Sequence, residues 1–118
     1  MSTIKITLIG CGFFGQQLAD GFSKNGAELV GVSDLNPSLA ANLATKFNCK
    51  SYPNYEEMLT DCKPDLVLIA TYNSAHRAAA EFALNAGCAV FIETPFAIEA
   101  DDCRQILKLA EQVKQPVF

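Results

Sequence analysis

Ile4-Lys5-Ile6-Thr7-Leu8-Ile9-Gly10-Cys11-Gly12-Phe13-Phe14-Gly15 is the stretch that decides the fold. Ile4, Ile6, Leu8 and Ile9 make a β-branched, apolar strand that stops at Gly10. From Phe13 to Lys24 the residues Phe14, Leu18 and Phe22 fall four apart on one helical face, and Asn25-Gly26 supplies the stop. A strand, a Gly-x-Gly-x-x-Gly turn and a helix therefore follow one another directly. In that setting the three glycines serve different ends. Gly10 permits the tight turn, Gly12 lets backbone approach a pyrophosphate, and Gly15 lets helix and strand pack closely. The helix start adds unpaired N–H groups and a partial positive charge, which suit phosphate.

The same alternation continues along the chain. A second strand is expected over Glu28 to Ser33, and Asn36-Pro37 then caps a helix carrying Leu39, Leu43 and Phe47. A short strand near Lys50 to Tyr52 and one or two helical turns from Tyr55 to Thr60 come next. Asp65 to Thr71, with a continuous apolar run, reads as a strand buried on both faces at the centre of the sheet. Ala75 to Asn85 is an alanine-rich helix ended by Gly87, and Ala89 to Ile92 is another buried strand. Glu99 to Lys114 is an amphipathic helix on Ile106, Leu107, Ala110 and Val113, and Pro116-Val117-Phe118 begins a further strand. Strands alternating with helices at this spacing imply right-handed βαβ crossovers and a parallel sheet with helices on both faces. With the glycine turn, the expected architecture is an α/β, Rossmann doubly wound sheet of three layers, α/β/α, with strand order 3-2-1-4-5.

Asp34 ends the second strand about twenty residues beyond the last glycine, where a carboxylate accepts both hydroxyls of an adenosine ribose. It would repel a 2′-phosphate, and no arginine stands beside it in Ser33-Asp34-Leu35-Asn36, so NAD is favoured over NADP. S-adenosylmethionine also uses an acidic residue after the second strand. It has no pyrophosphate to occupy a three-glycine turn, which argues against it.

Composition bounds the alternatives. The 118 residues, half of them apolar, suffice for one core and one domain. A net charge of −4 offers no basic face for nucleic acid and no polybasic segment for anionic lipid. Met1 to Gly10 lacks the features of a secretory leader, and no run approaches a membrane span, so a cytoplasmic protein is expected. Cys11, Cys49, Cys62, Cys88 and Cys103 are odd in number and scattered without a Cys-x-x-Cys pair, which suggests reduced, mostly buried thiols rather than a disulfide framework or a metal site.

Three further strings, Ser33-Asp34-Leu35-Asn36-Pro37, Ala70-Thr71-Tyr72-Asn73-Ser74-Ala75-His76 and Glu93-Thr94-Pro95, make the chain resemble the glucose-fructose oxidoreductase and inositol dehydrogenase family, Gfo/Idh/MocA. The resemblance implies that residues 1–118 are that family's amino-terminal dinucleotide-binding domain, with its substrate domain absent from this chain. It also implies that Thr71, Asn73 and His76 match a loop packed along the nicotinamide half of the cofactor, from which Tyr72 departs. Glu93 and Pro95 match the family's Glu-Lys-Pro, while Thr94 replaces a lysine that points to substrate and nicotinamide. A threonine is uncharged and shorter, and cannot polarise a sugar hydroxyl as an ammonium does. The expected cofactor contacts are then Gly10, Gly12, Phe13, Phe14, Gly15, Asp34, Leu35, Thr71, Tyr72, Asn73, His76, Glu93 and Thr94.

The resemblance implies hydride transfer to or from a sugar, cyclitol or polyol, with this chain alone expected to be inactive. The alternative is a non-catalytic dinucleotide-binding or sensing module. His76, the only histidine, is expected at a helix end or loop rather than as an acid-base group, and Cys11 is expected buried under the cofactor rather than as a redox sensor. Phe13 and Tyr72 either close over the nicotinamide or face a second domain. Glu56, Glu57, Asp101 and Asp102 read as solvated helix starts. An uncovered edge beside Ala89 to Ile92 leads to the expectation of a homodimer or a missing partner domain.

Overall fold

Lys5–Ile9 (β1) pairs in parallel with Glu28–Ser33 (β2) on one side and Leu66–Ile69 (β4) on the other. In the computed structural model, which describes residues 3–71, 73–93 and 100–118, Lys50–Tyr52 (β3) and Ala89–Ile92 (β5) complete a parallel sheet of order β3-β2-β1-β4-β5. The centre of the five is therefore β1, and β4 lies one strand away from it. An apolar run marks burial on both faces, and both strands have that; it does not say which of them holds the middle.

Among the described residues, four helices connect the strands and a fifth follows β5: Phe13–Lys24 (α1), Pro37–Phe47 (α2), Tyr55–Cys62 (α3), Asn73–Asn85 (α4) and Ala100–Val113 (α5). They divide between the two faces. Ala19 of α1 and Ala40, Leu43 and Ala44 of α2 pack on Ile6, Leu8, Val32 and Leu68. Met58 and Leu59 of α3, Ala79, Ala80, Ala83 and Leu84 of α4, and Ile106 and Ala110 of α5 pack on Ile9, Val67, Ile69 and Val90. The three expected layers are present, and β1, β4 and β5 send side chains into both cores.

Capping chemistry sets several boundaries. Asn36 accepts from Ser38 N–H at 3.0 Å and Pro37 opens α2, as its sequence implies. Asn54 does the same for α3 through Glu57 N–H at 2.8 Å, and Glu56 and Glu57 occupy its first turn, as Asp101 and Asp102 do in α5. α3 runs on to Cys62, past the expected Thr60, and ends where Lys63 turns into the left-handed region at φ 46°. The fourth strand is shorter than expected, and α4 begins two residues earlier than Ala75.

Two apolar stripes differ from the spacing. In α1 the buried residues are Gly15 and Ala19, while Phe14 is half exposed and Leu18 and Phe22 flank the core. The helix lies so near β1 that only small residues fit beneath it. In α5 Leu107 faces outward and Leu109 packs inward with Ile106, Ala110 and Val113.

At the far edge, Val117 bridges Val90 in parallel, with Val90 N–H donating to Pro116 O at 3.1 Å and Phe118 N–H to Val90 O at 2.8 Å. The start of a sixth strand thus covers the edge of β5 that the sequence left open. All five cysteines are free thiols, with Cys11 and Cys88 buried, Cys49 and Cys62 partly so and Cys103 exposed.

Candidate functional site

The turn after β1 lies between the ends of its two neighbours. Gly10 N–H donates to Ser33 O at the end of β2 (2.9 Å), and Ala70 N–H beyond β4 donates to Ile9 O (2.8 Å). Gly10 sits at φ 96°, and a Cβ there would stand 2.5 Å from Ala70 O, so both conformation and space demand glycine. A Cβ on Gly15 would overlap the carbonyl oxygen of Gly10 and press on Leu8. These two glycines are requirements of the fold.

Gly12 is different. Its φ of −77° and ψ of −165° suit any residue, and a Cβ built on it would meet nothing within 4 Å among the described residues. Neither its backbone conformation nor packing among the described residues requires glycine at this place. A ligand lying against the backbone does. Gly12 is also the N-cap of α1, whose first turn has no side-chain cap and no acidic residue. Its carbonyl accepts from Gln16 N–H (2.9 Å), which leaves the N–H groups of the first turn and the positive helix end directed at the open space beside Gly12.

Asp34 flanks that space. Its Oδ2 accepts from Cys11 N–H and its Oδ1 from Asn36 N–H, each at 2.7 Å. A carboxylate offers about four lone-pair positions, so one on each oxygen remains for a further donor. Leu35 beside it is wholly exposed. Phe13 is 68% exposed and meets Phe14 edge to face, their ring centroids 5.6 Å apart, at the same rim.

Cys11 has no exposed surface, and its thiol lies 3.5 Å from Ser33 O. Burial, with the Asp34 charge behind it, pushes this thiol up to about 12, the reverse of what a helix end would do to an accessible cysteine. The buried reading of Cys11 stands.

On the β4 side of β1, Glu93 is half-buried and its N–H donates to Ile69 O at 2.9 Å, which sets it beside the end of β4. Thr71, also half-buried, has a buried hydroxyl without a partner among the described residues. His76 lies in the first part of α4, as its position implies, but it is 2% exposed, on the same side as Ala79, Ala80 and Ala83, and neither ring nitrogen has a partner among the described residues. Asn73 opens α4. Tyr72 and Thr94 lie outside the described residues. Gly10 to Gly15, Asp34 and Leu35 thus follow the ends of β1 and β2, and Thr71 and Glu93 the ends of the neighbouring β4 and β5, along one edge of the parallel sheet. The sequence did not reveal the backbone partners Cys11 N–H and Asn36 N–H, because a main-chain donor leaves no residue signature.

The donors present fit a dinucleotide: an uncapped helix start for phosphates, bare backbone at Gly12 and a carboxylate with free acceptor capacity. Comparison with known proteins agrees. Residues 4–118 match the family model GFO_IDH_MocA, described as oxidoreductase family, NAD-binding Rossmann fold. An inositol 2-dehydrogenase of Salmonella typhimurium is 34% identical over an alignment of 116 residues that covers 93% of this chain and 34% of that protein. The solved UDP-N-acetylglucosamine 3-dehydrogenase of Acidithiobacillus ferrooxidans superposes with a TM-score of 0.87 at 28% identity, covering 99% of this chain and 38% of its own. An oxidoreductase of Agrobacterium radiobacter solved with NAD+, L-tartaric acid and magnesium gives 0.91 at 26% identity, covering 98% and 34%. The chain spans about a third of the length of the curated relatives it matches. No helix among the described residues is long and apolar enough to cross a membrane.

Proposed function

The chain belongs to the Gfo/Idh/MocA oxidoreductase family as its NAD-binding Rossmann domain, and from that premise we propose that it serves an enzyme moving hydride to or from a sugar, cyclitol or related polyol. The observation that carries the site is Gly12, a glycine that neither backbone conformation nor packing requires. In this reading Gly10, Gly12, Phe13, Phe14 and Gly15 receive the pyrophosphate, and Asp34 and Leu35 the adenosine. Thr71, Tyr72, Asn73, His76, Glu93 and Thr94 line the nicotinamide side. The bound dinucleotide supplies a hydride donor or acceptor at its nicotinamide ring.

The chain's own residues bind and orient. The first-turn N–H groups of α1 neutralise phosphate charge, and Asp34 holds the ribose through acceptor positions left free by its two backbone bonds. Thr94, lacking a positive charge, does not draw a proton from a substrate hydroxyl. We therefore assign no catalytic residue to residues 1–118. The substrate class follows from the relatives, one an inositol and another a UDP-N-acetylglucosamine dehydrogenase.

Thr94 also favours a second reading, a dinucleotide-binding module without turnover. A native reading frame that continues past Phe118 into a substrate domain favours the enzyme. The exposed Phe13, Phe14 and Leu35 support a further surface covering the site, whether that domain or a second copy in a homodimer. Light scattering on the purified chain separates these, and a cytoplasmic location completes the proposal.

The deciding experiment is calorimetric titration with NAD, NADH and NADP, repeated on Asp34→Ala. Binding of NAD or NADH that the variant loses, with NADP weak, is the expected result. Failure of all three to bind refutes the site.

A further inference from the structure

Asp34 is tied to more than the strand it ends. Three bonds join the turn after β1 to the end of β2: Gly10 N–H to Ser33 O (2.9 Å), the Cys11 thiol to the same oxygen (3.5 Å) and Cys11 N–H to Asp34 Oδ2 (2.7 Å). Only the last is charge-assisted, and it acts on the residue immediately before Gly12. The other carboxylate oxygen takes Asn36 N–H at 2.7 Å, so the group is held from both sides before any ligand arrives.

From this geometry we infer that Asp34 is a positioning residue for the phosphate turn as well as a ribose ligand, and so couples the two halves of the adenosine diphosphate site. The inference rests on the cofactor reading above but makes a separate claim. A carboxylate that only received ribose hydroxyls would affect ligands carrying that ribose and nothing else. One that also fixes Cys11 N–H governs how the neighbouring Gly12 to Gly15 backbone is presented to phosphate. Without it, Cys11 N–H loses its acceptor beside a fully buried side chain, and the turn keeps only the two weaker attachments to Ser33 O. The four lone-pair positions of the carboxylate let both duties run together, since two are occupied by backbone and two remain.

Amide hydrogen exchange by NMR on the full chain, in wild type, Asp34→Asn and Asp34→Ala, tests the anchoring without ligand. In Asp34→Ala, exchange at Cys11 and Asn36 should rise about tenfold or more, the loss expected for a charge-assisted bond. Val67, Leu68 and Ile69 in β4 should keep their protection, which separates a local anchor from general destabilisation. Asp34→Asn keeps one acceptor oxygen and should free one of the two amides while holding the other. Unchanged exchange at Cys11 in Asp34→Ala overturns the inference, as does loss of protection spread evenly across the sheet.

Inorganic pyrophosphate, which has no ribose, tests the coupling. The initial shift of the Gly12, Phe13 and Gly15 amides per unit of pyrophosphate should fall about fivefold or more in Asp34→Ala. An equal slope in variant and wild type refutes the coupling. Wild-type chain that fails to bind NADH refutes the cofactor reading instead, while exchange at Cys11 still decides the anchoring.

Discussion

Adding one methyl group at Gly12 should weaken cofactor binding about tenfold or more while leaving the fold almost untouched. Gly12→Ala places its Cβ where no atom of the described residues lies within 4 Å, at a φ of −77° that alanine adopts freely. Replacing glycine there lowers the entropy of the unfolded chain, a gain of about 0.4–1 kcal/mol. Alanine is a poorer N-cap than glycine, which offsets part of it. The net change should stay within about 0.5 kcal/mol, roughly 3 °C or less in Tm. Binding has no such compensation, because the methyl occupies the space where pyrophosphate meets backbone. Loss of one charge-assisted hydrogen bond costs about 1.5–3 kcal/mol, so Kd for NADH should rise roughly tenfold to a hundredfold. The other glycines supply the contrast. At Gly15 the overlap is with the backbone of Gly10, and at Gly10 a positive φ is added to a 2.5 Å approach to Ala70 O, so alanine at either should cost about 3 kcal/mol of stability. Thermal unfolding and calorimetric titration of the three variants measure the two effects separately. A Gly12→Ala chain that binds NADH within twofold of wild type refutes the claim that the ligand, not the fold, requires glycine there.

Asp34→Ser combined with Leu35→Arg should reverse the cofactor preference, with NADPH affinity rising at least about tenfold and NADH affinity falling, measured by fluorescence titration. Gly31→Ala should destabilise by about 1–3 kcal/mol, because its Cβ would stand 2.9 Å from the Cys62 sulfur and 3.1 Å from the Tyr52 ring. Adding Cys62→Ala should recover part of that loss in urea unfolding, and no recovery would place the strain elsewhere. Cys11 and Cys49, pushed up to about 12 and about 11 by burial, keep their protons in the folded chain when an unfolded thiol near 9 has lost its own. The stabilisation they give is complete below about pH 9 and falls as pH rises through that window, so urea midpoints should decline from pH 9 to 11, and less so in Cys11→Ala.

The turn and most element bounds were legible because each rests on local chemistry, and the strand order because a glycine turn opening a βαβ series belongs to one doubly wound architecture. β2, β3, β5 and α1 begin and end where glycine, asparagine and the apolar runs imply. What escaped was tertiary. The spacing of Phe14, Leu18 and Phe22 identified a helix but not its buried side, which depends on how near α1 lies to β1 and so favours Gly15 and Ala19. Leu107 and Leu109 are equivalent in hydrophobicity and only packing separates them. His76 could be placed at the start of a helix, yet its burial follows from the alanines that share its side of α4. At the site, Asp34 and the glycines were visible by residue type. The amides that hold Asp34 were not, because every residue but proline carries one.

β1 is the middle strand and also the first to be made. Its β2 side is filled once residues 28–33 exist, but its other side waits for Leu66 to Ile69, and Lys5 N–H waits for the carboxylate of Asp65 (2.8 Å in the finished fold). At about 5–20 residues per second on the ribosome, a half-built sheet with an open apolar edge persists for seconds. Such an edge is a template for pairing with other chains. Ribosome-bound chains with β4 still inside the exit tunnel should therefore hold a chaperone that chains with β4 released have shed, and crosslinking of stalled nascent chains measures the difference. The strand order that opens a crevice for a ligand thus also sets when, during synthesis, the protein most needs protection.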